Sequence, residues 1–382
     1  MPIHKGILPR EGLTADPVLK LIGKTALNPV LLLPLLLLAK FTKKGEDMTM
    51  LHPTAFSRIK TLFYVGLARW LSGAYSDAVI NNWTRDPYDW PREIAVVTGG
   101  AGGIGGHVVK LLAERRIRVV VLDIQPMTFD GGPNVHYFKC DLTSAANVAA
   151  VAREIRDKVG DPTILVNNAG VARGKTVLET SERDLKFTFD VNTFAHYYTV
   201  KEFLPAMVKR NHGMIVTVAS YAAWMIVPNM VDYGMSKAAA LAFHEGLTAE
   251  LTTRYSAPKV RTIAVSQGYT KTALFTGYQS DNQFLVPALE PESVADAIVK
   301  QIFTGRSGHV IAPSFGSTLQ MLRAMPHWYS YALRTKGQSL MRNFSGRQVI
   351  ENLEKHYSER EKSHIEGGND TEGSTVLVPQ AK

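Results

Sequence analysis

Residues Thr98 to Gly105 read TGGAGGIG. They directly follow the apolar run EIAVV of residues 93–97 and precede a stretch that takes up helical spacing from about Ile104. A strand that ends in a glycine-rich turn and continues as a helix has a definite physical use. Glycines let backbone amides approach a pyrophosphate, and the helix N-terminus turns its partial positive charge toward the phosphates. Thr98, Gly99, Gly103, Ile104 and Gly105 are therefore candidate cofactor-binding residues. About eighteen residues past Gly105, Asp123 ends the run RVVVLD; a carboxylate there accepts hydrogen bonds from an adenosine ribose and repels a 2′-phosphate, which favours NAD, with NADP as the alternative.

Outward from this turn, short apolar runs alternate with helical periodicity. The expected strands are Ile94 to Val97, Arg118 to Leu122, Thr163 to Val166, Met214 to Val218 and Val260 to Val265. A last helix near Pro291 to Phe303 and a strand near His309 to Ile311 close the unit. Such alternation implies an α/β fold, a doubly wound (Rossmann) parallel sheet with helices on both faces. The expected division is an N-terminal membrane-associating region 1–92, a nucleotide-binding catalytic domain 93–313, a C-terminal helical extension or lid 314–365 and a disordered polar tail 366–382.

A second signal is YGMSK at Tyr233 to Lys237, followed by a helical continuation from Ala238 to Leu251. Positions four apart share a helix face, so the Lys237 ammonium can stand near the Tyr233 phenol. A phenol of ordinary pKa near 10 is a poor base at neutral pH, but a nearby lysine and an oxidised nicotinamide both favour the phenolate. Ser220 follows the strand MIVTVA and so lies at the carboxyl end of the sheet, where ligands of doubly wound folds bind.

These residues resemble the short-chain dehydrogenase/reductase family, over roughly Glu93 to Pro313. The matches come in the family's order: TGGAGGIG, Asp123, Asp141 in CDL, Asn167-Asn168-Ala169-Gly170, Asn192 in DVNTF, Ser220, Tyr233 and Lys237. The resemblance implies that Tyr233 is the acid/base and that Lys237 lowers its pKa and binds the nicotinamide ribose. It implies that Ser220 bonds the reacting oxygen, Asn192 sustains a water-linked proton relay, Asp141 meets the adenine, and Asn168 and Thr272 contact the cofactor. One departure stands out: Gln267-Gly268 replaces the Pro-Gly common after the sixth strand, which frees the backbone leading to Thr272. Plainer readings stand beside these: Asn192 as a satisfied helix polar group, Asn167 as a strand-end brace, Asp141 as a turn residue. The resemblance also implies a homodimer, paired through the helices around Asn192 and Tyr233.

The N-terminal region bears on substrate. Residues 26–39 read ALNPVLLLPLLLLA, with Lys20 and Lys24 before and Lys40, Lys43 and Lys44 after. That is about fourteen residues where a spanning helix takes roughly twenty, and Pro34 lies inside. A second apolar helix is expected at Thr61 to Tyr75, and together they suit a helix or hairpin resting in one leaflet, with Trp70, Tyr75 and Trp83 near the headgroups. A cleaved signal, a tilted spanning helix and packing on the protein's own core are the competing readings. This region is similar to the membrane- or lipid-droplet-associated retinol/17-beta-hydroxysteroid dehydrogenase-like branch. It implies a lipophilic alcohol or ketone of retinoid, steroid or long-chain type, at the endoplasmic reticulum or a lipid droplet, with the catalytic domain in the cytosol. The segment Met321 to Leu340 reads equally as an apolar lid or as a helix packed on the sheet. Two rivals are an NADPH-dependent reductase of a ketolipid or polyketide intermediate and a non-catalytic nucleotide-binding scaffold.

Composition excludes several classes. In 382 residues, 45% hydrophobic and 20% charged, there is no disordered, collagen-like or disulfide-stapled protein. The single cysteine, Cys140, suits a reducing compartment. The net charge of +9 suits an anionic cofactor, an acidic membrane or nucleic acid, but no nucleic-acid recognition motif accompanies it. No His/Cys cluster has zinc-ligand spacing, so no metal is expected.

Overall fold

The computed structural model describes residue 6 and residues 8–278 and 282–358; the tail expected at 366–382, and residues 359–365 of the extension, lie outside these. Four helices come first: α1 (Ala15–Lys24), α2 (Pro29–Phe41), α3 (Lys43–Leu51) and α4 (Pro53–Ile80). A parallel sheet follows, with β1 (Ile94–Thr98), β2 (Arg118–Asp123), β3 (Val135–Lys139), β4 (Ile164–Asn167), β5 (Met214–Val218), β6 (Arg261–Gln267) and β7 (Gly308–Ala312). Its seven strands run in the order β3-β2-β1-β4-β5-β6-β7, so the direction of winding reverses between β1 and β4. The crevice at that reversal, above the carboxyl ends of the strands, is where a doubly wound sheet binds ligand.

Helices cover both faces. α5 (Gly103–Ala113) and α10 (Pro291–Phe303) pack on one side, and α6 (Ala145–Lys158), α8 (Ala195–Arg210) and α9 (Val231–Thr253) on the other. Val96, Val97, Val120, Val121, Val166 and Val216 are wholly buried, because a sheet covered on both faces takes β-branched residues at consecutive positions. Full burial contributes about 1.5–3 kcal/mol per such side chain, an upper figure because the unfolded chain is partly collapsed.

β3 was not among the expected strands. It is an edge strand paired only with β2, and its sequence VHYFK keeps a half-exposed surface, so it lacks the apolar run of its neighbours. The second N-terminal helix is also longer than expected: α4 covers 28 residues, starting at Pro53 in its first turn.

Among the described residues no single helix is long and apolar enough to cross a membrane, although α1 and α2 would pass together as a pair bent by 40°. Apolar side chains of α2 and α4 are largely turned outward: Leu35, Leu38 and Phe41 of α2 and Trp70 of α4 are all more than half exposed. The helices are nonetheless anchored at both ends. Asp16 accepts from the Ser314 amide and hydroxyl, and Arg10 pairs with Asp296 at 2.7 Å. After α4, Asn81 Oδ1 accepts from Ser307 N at 2.8 Å, and buried Arg261 donates to Asn81 O at 3.0 Å and Thr84 O at 2.9 Å. The extension contains a 3₁₀ segment (Ser314–Ala324) and α11 (His327–Lys336), whose Trp328 and Tyr331 face outward.

Candidate active site

A cavity of about 650 Å³ opens above the carboxyl ends of β1, β2, β4, β5 and β6. The glycine turn forms one wall. Gly99 adopts φ +63°, and a Cβ there would meet Ala169 Cα at 2.8 Å, so the left-handed backbone and the close approach both require glycine. Gly103, at φ +55°, opens α5, and its N-cap Gly102 has no capping side chain, so the first amides of the helix stay available to an anion. Gly99, Gly103 and Ile104 line the cavity. A diphosphate fits this cradle, which side chains would fill.

Thr98 and Gly105, expected in contact with the cofactor, do not line the cavity. Thr98 Oγ1 instead accepts from the amides of Asn168 and Ala169, each at 3.0 Å, and so ties β1 to the end of β4. Gly105 lies behind the turn, where a Cβ would meet Gly99 O at 2.2 Å and Asn168 Nδ2 at 2.5 Å. Both shape the cradle from behind its lining.

Asp123 lines the cavity at the end of β2, its Oδ2 accepting from Ala101 N at 3.1 Å and its Oδ1 from Gln125 N at 3.0 Å. Asp141 also lines it, but Oδ1 is taken by the amide and hydroxyl of Thr143, so its turn role is realised together with its place at the cavity. Asn168 lines the wall while its Nδ2 donates to Thr98 O at 3.0 Å and Gly99 O at 3.2 Å. Asn167 braces the strand end, accepting from Thr199 Oγ1 at 2.8 Å. Thr272 precedes a 3₁₀ turn (Ala273–Phe275), and its methyl would stand 3.7 Å from a Cβ on Gly103, across the gap. The missing proline leaves no slack: Gly268 N donates to Ala312 O at 2.8 Å and Thr270 Oγ1 to Gly268 O at 3.2 Å.

Ser220, Tyr233 and Lys237 meet at the far end of the cavity. Ser220 Oγ accepts from Ala222 N at 3.2 Å, which fixes it at the foot of a short 3₁₀ turn after β5. Tyr233 is almost wholly buried on the first turns of α9, its ring edge-on to Phe275 at 5.3 Å. Burial pushes its phenol up to about 12, opposed by a hydrogen bond with Ser220. The expected acidifying influence of Lys237 is therefore not the dominant one in the protein alone. Lys237 donates from Nζ to Val218 O at 2.8 Å, and burial pushes its ammonium down to about 8, which leaves it charged at neutral pH.

Asn192 does not line the cavity. It sits in a π-helical turn (Asp190–Phe194) between α7 (Glu182–Phe189) and α8, where its Oδ1 accepts from Val171 N at 2.8 Å and its Nδ2 donates to Val171 O and Ser236 Oγ, each at 2.9 Å. Its satisfied-polar-group reading is realised, and a π-turn is a common way to aim one residue inward. A Cβ on Gly170 would meet Lys237 Nζ at 3.4 Å and Asn192 Oδ1 at 3.5 Å, so Gly170 keeps open the small space between those two groups.

Several lining residues carry no sequence motif. Met225, Val227, Met230, Leu274, Phe275 and Leu340 make the Tyr233 end of the cavity apolar. Arg347, Val349 and Ile350 reach it from the C-terminal extension. Tyr221 could have been suspected as the aromatic neighbour of Ser220; the others depend on tertiary packing.

Comparison with known proteins agrees with this geometry. The short chain dehydrogenase family profile matches residues 93–283, half of the chain. Dehydrogenase RED2 of Cochliobolus heterostrophus is 46% identical over 208 residues, covering 54% of this chain and 78% of that protein. Estradiol 17-beta-dehydrogenase 11 of Homo sapiens is 33% identical over 252 residues, covering 64% of this chain and 83% of that protein. The crystal structure of a short chain dehydrogenase from Burkholderia cenocepacia in complex with NADP superposes with a TM-score of 0.54 at 28% identity, covering 63% of this chain and 96% of that one. With a glycine cradle, a Ser-Tyr-Lys cluster and these relatives in agreement, the chain belongs to the short-chain dehydrogenase/reductase family and is an NAD(P)-dependent oxidoreductase of its retinol/17-beta-hydroxysteroid dehydrogenase-like branch.

Proposed function

We propose that the protein interconverts a lipophilic alcohol and its ketone or aldehyde, of steroid, retinoid or long-chain type, at a membrane surface, with NAD as the preferred cofactor. The observation that carries this reading is the joining of Ser220, Tyr233 and Lys237 to an apolar chamber walled by Met225, Met230, Leu274 and Phe275. A nicotinamide bound in the cleft supplies the acceptor or donor of a hydride. In oxidation Tyr233 takes the proton of the substrate hydroxyl, and in reduction it returns that proton to the carbonyl oxygen. Ser220 Oγ hydrogen-bonds the reacting oxygen and steadies charge there. Since burial holds the phenol near 12, the proton leaves Tyr233 only where positive charge stands close; the Lys237 ammonium supplies part of it. Asn192 and Lys237 flank the space beside Gly170, through which a water-linked relay returns the proton to solvent.

The membrane reading, for region 1–92, rests on the outward leucines of α2 and the lysines beside them. It fits an endoplasmic reticulum or lipid-droplet surface with the catalytic domain on the cytosolic side. Pairing of two copies through α8 and α9 is supported by half-exposed Phe194 and Tyr197 beside α8. The Burkholderia protein's complex with NADP favours a second reading, reduction of a ketolipid with NADPH. The test is a screen of lipophilic alcohols and ketones with both nicotinamides, using membrane-reconstituted protein. NAD-linked alcohol oxidation supports the first reading, exclusive NADPH-linked ketone reduction supports the second, and turnover of small polar alcohols alone contradicts both.

A further inference from the structure

The residues after α11 cross the mouth of the cofactor cleft. Arg347 N donates to Ala273 O at 2.7 Å and Ser345 N to Thr276 O at 2.9 Å, which ties the segment to the loop carrying Thr272. Next, Gln348 Nε2 donates to Ala172 O at 3.1 Å, while its Oε1 accepts from Arg173 at 2.6 Å. Beyond this, Leu353 packs with Val171, Phe187 and Val191. Tyr357 then donates to Asp190 Oδ2 at 2.8 Å, and His356 Nε2 stands 3.5 Å from Asp141 Oδ2. Residues 344–357 thus run from the Thr272 side of the cleft to the Asp141 side.

Of the two cations in this crossing, Arg347 and Lys355, Arg347 lines the cavity. Its backbone is fixed at Ala273, beside Thr272, and its guanidinium donates to Gln125 Oε1 at 2.9 Å, two residues beyond Asp123. The side chain therefore spans the cleft between the Thr272 loop and the end of β2, and it lines the same cavity as Gly103 at the N-terminus of α5. Its side-chain partner there is neutral, so its charge stays available to an anion.

We propose that residues 344–357 are a strap over the dinucleotide and that Arg347 clamps the cofactor's diphosphate from the side opposite α5. The proposal rests on the assignment of the cleft to a nicotinamide dinucleotide. A planar guanidinium is suited to bridging two phosphate oxygens, and together with the helix N-terminus it encloses the diphosphate between two positive groups. Cofactor exchange then requires the strap to lift, breaking the contacts at Ala273, Thr276 and Asp190.

The test measures binding, not turnover. Dissociation constants of NAD, NADP and adenosine are determined by calorimetry for the full chain and for Arg347→Ala and Arg347→Lys. Arg347→Ala should weaken NAD and NADP alike by about tenfold, the scale of one charge-assisted hydrogen bond exchanged against water, and leave adenosine unchanged; Arg347→Lys should recover part of the loss. Unchanged dinucleotide affinity, loss confined to NADP, or equal loss of adenosine would overturn the clamp. A wild-type chain that binds neither dinucleotide would instead overturn the cofactor assignment beneath it. Saturating NAD should also slow tryptic cleavage after Arg342 and Lys355, and cleavage at an unchanged rate would contradict the strap.

Discussion

Lys237 Nζ lies 5.8 Å from the centre of the Tyr233 ring and is held there by its bond to the carbonyl of Val218, the last residue of β5. The ammonium is thus fixed by the sheet as well as by the helix it shares with Tyr233. Lys237→Met keeps the buried stem and removes the charge, so the phenol keeps its burial and loses its cation. Oxidation at neutral pH should fall by about a hundredfold or more, with the rising limb of the kcat/KM profile moved to higher pH. A wild-type profile in the variant would contradict the electrostatic role.

Asp123 places its carboxylate in the cavity, held by the Ala101 and Gln125 amides. In Asp123→Ala the repulsion of a 2′-phosphate disappears along with the ribose partner. The ratio of NAD to NADP efficiency should drop by roughly tenfold, about 1.4 kcal/mol of discrimination. An unchanged ratio, measured with one substrate and both cofactors, would remove Asp123 from the ribose site.

His212 sits between two carboxylates, Nδ1 at 2.7 Å from Asp86 and Nε2 at 3.3 Å from Glu93, with the Tyr88 ring 4.7 Å away. The bond to Glu93 and then that to Asp86 raise its pKa above the ordinary histidine value, against the opposite pull of burial. A raised folded value means that this stabilisation is complete below the unfolded pKa, about 6.5, and is lost as pH climbs through the folded value. The difference in Tm between wild type and His212→Gln should therefore narrow steadily from pH 6 to pH 9, taken here as about half a unit below and well above the unfolded value. A difference that stays flat would show that folding does not raise the pKa of His212.

Leu31, Leu33, Leu35, Leu37 and Leu38 of α2 point outward, while Leu32 is buried. Replacing Leu35, Leu37 and Leu38 by serine should lower affinity for anionic phospholipid vesicles by about a hundredfold or more, since each buried leucine contributes roughly 1.5–3 kcal/mol. Dinucleotide affinity should not change. Vesicle binding at the wild-type level would move the attachment elsewhere, with Trp328 and Tyr331 of α11 as the next residues to alter.

The sheet was legible because its central strands are continuous β-branched runs separated by turn residues and amphipathic helices. β3 escaped because an edge strand half open to solvent has no such run. Within the candidate site, Tyr233, Lys237, Ser220 and Asp123 are placed on one cavity by spacing along helices and strand ends, which survives folding unchanged. Thr98, Gly105 and Asn192 belong to the same motifs but lie outside the cavity lining: spacing locates a residue on an element and says nothing of which neighbour occupies its hydrogen bonds. The balance on the Tyr233 phenol was also hidden, since desolvation depends on how much chain closes over the ring. Arg347 was invisible for a related reason, as only tertiary packing brings it to Gln125, more than two hundred residues earlier.

The most direct measurement is Tyr233→Phe, which removes one hydroxyl and keeps the ring against Phe275. Single-turnover oxidation of a lipophilic alcohol should drop by about a thousandfold or more while NAD binds with wild-type affinity. A variant that turns over at a rate near the wild type would show that the proton leaves by another group and would contradict the acid/base assignment.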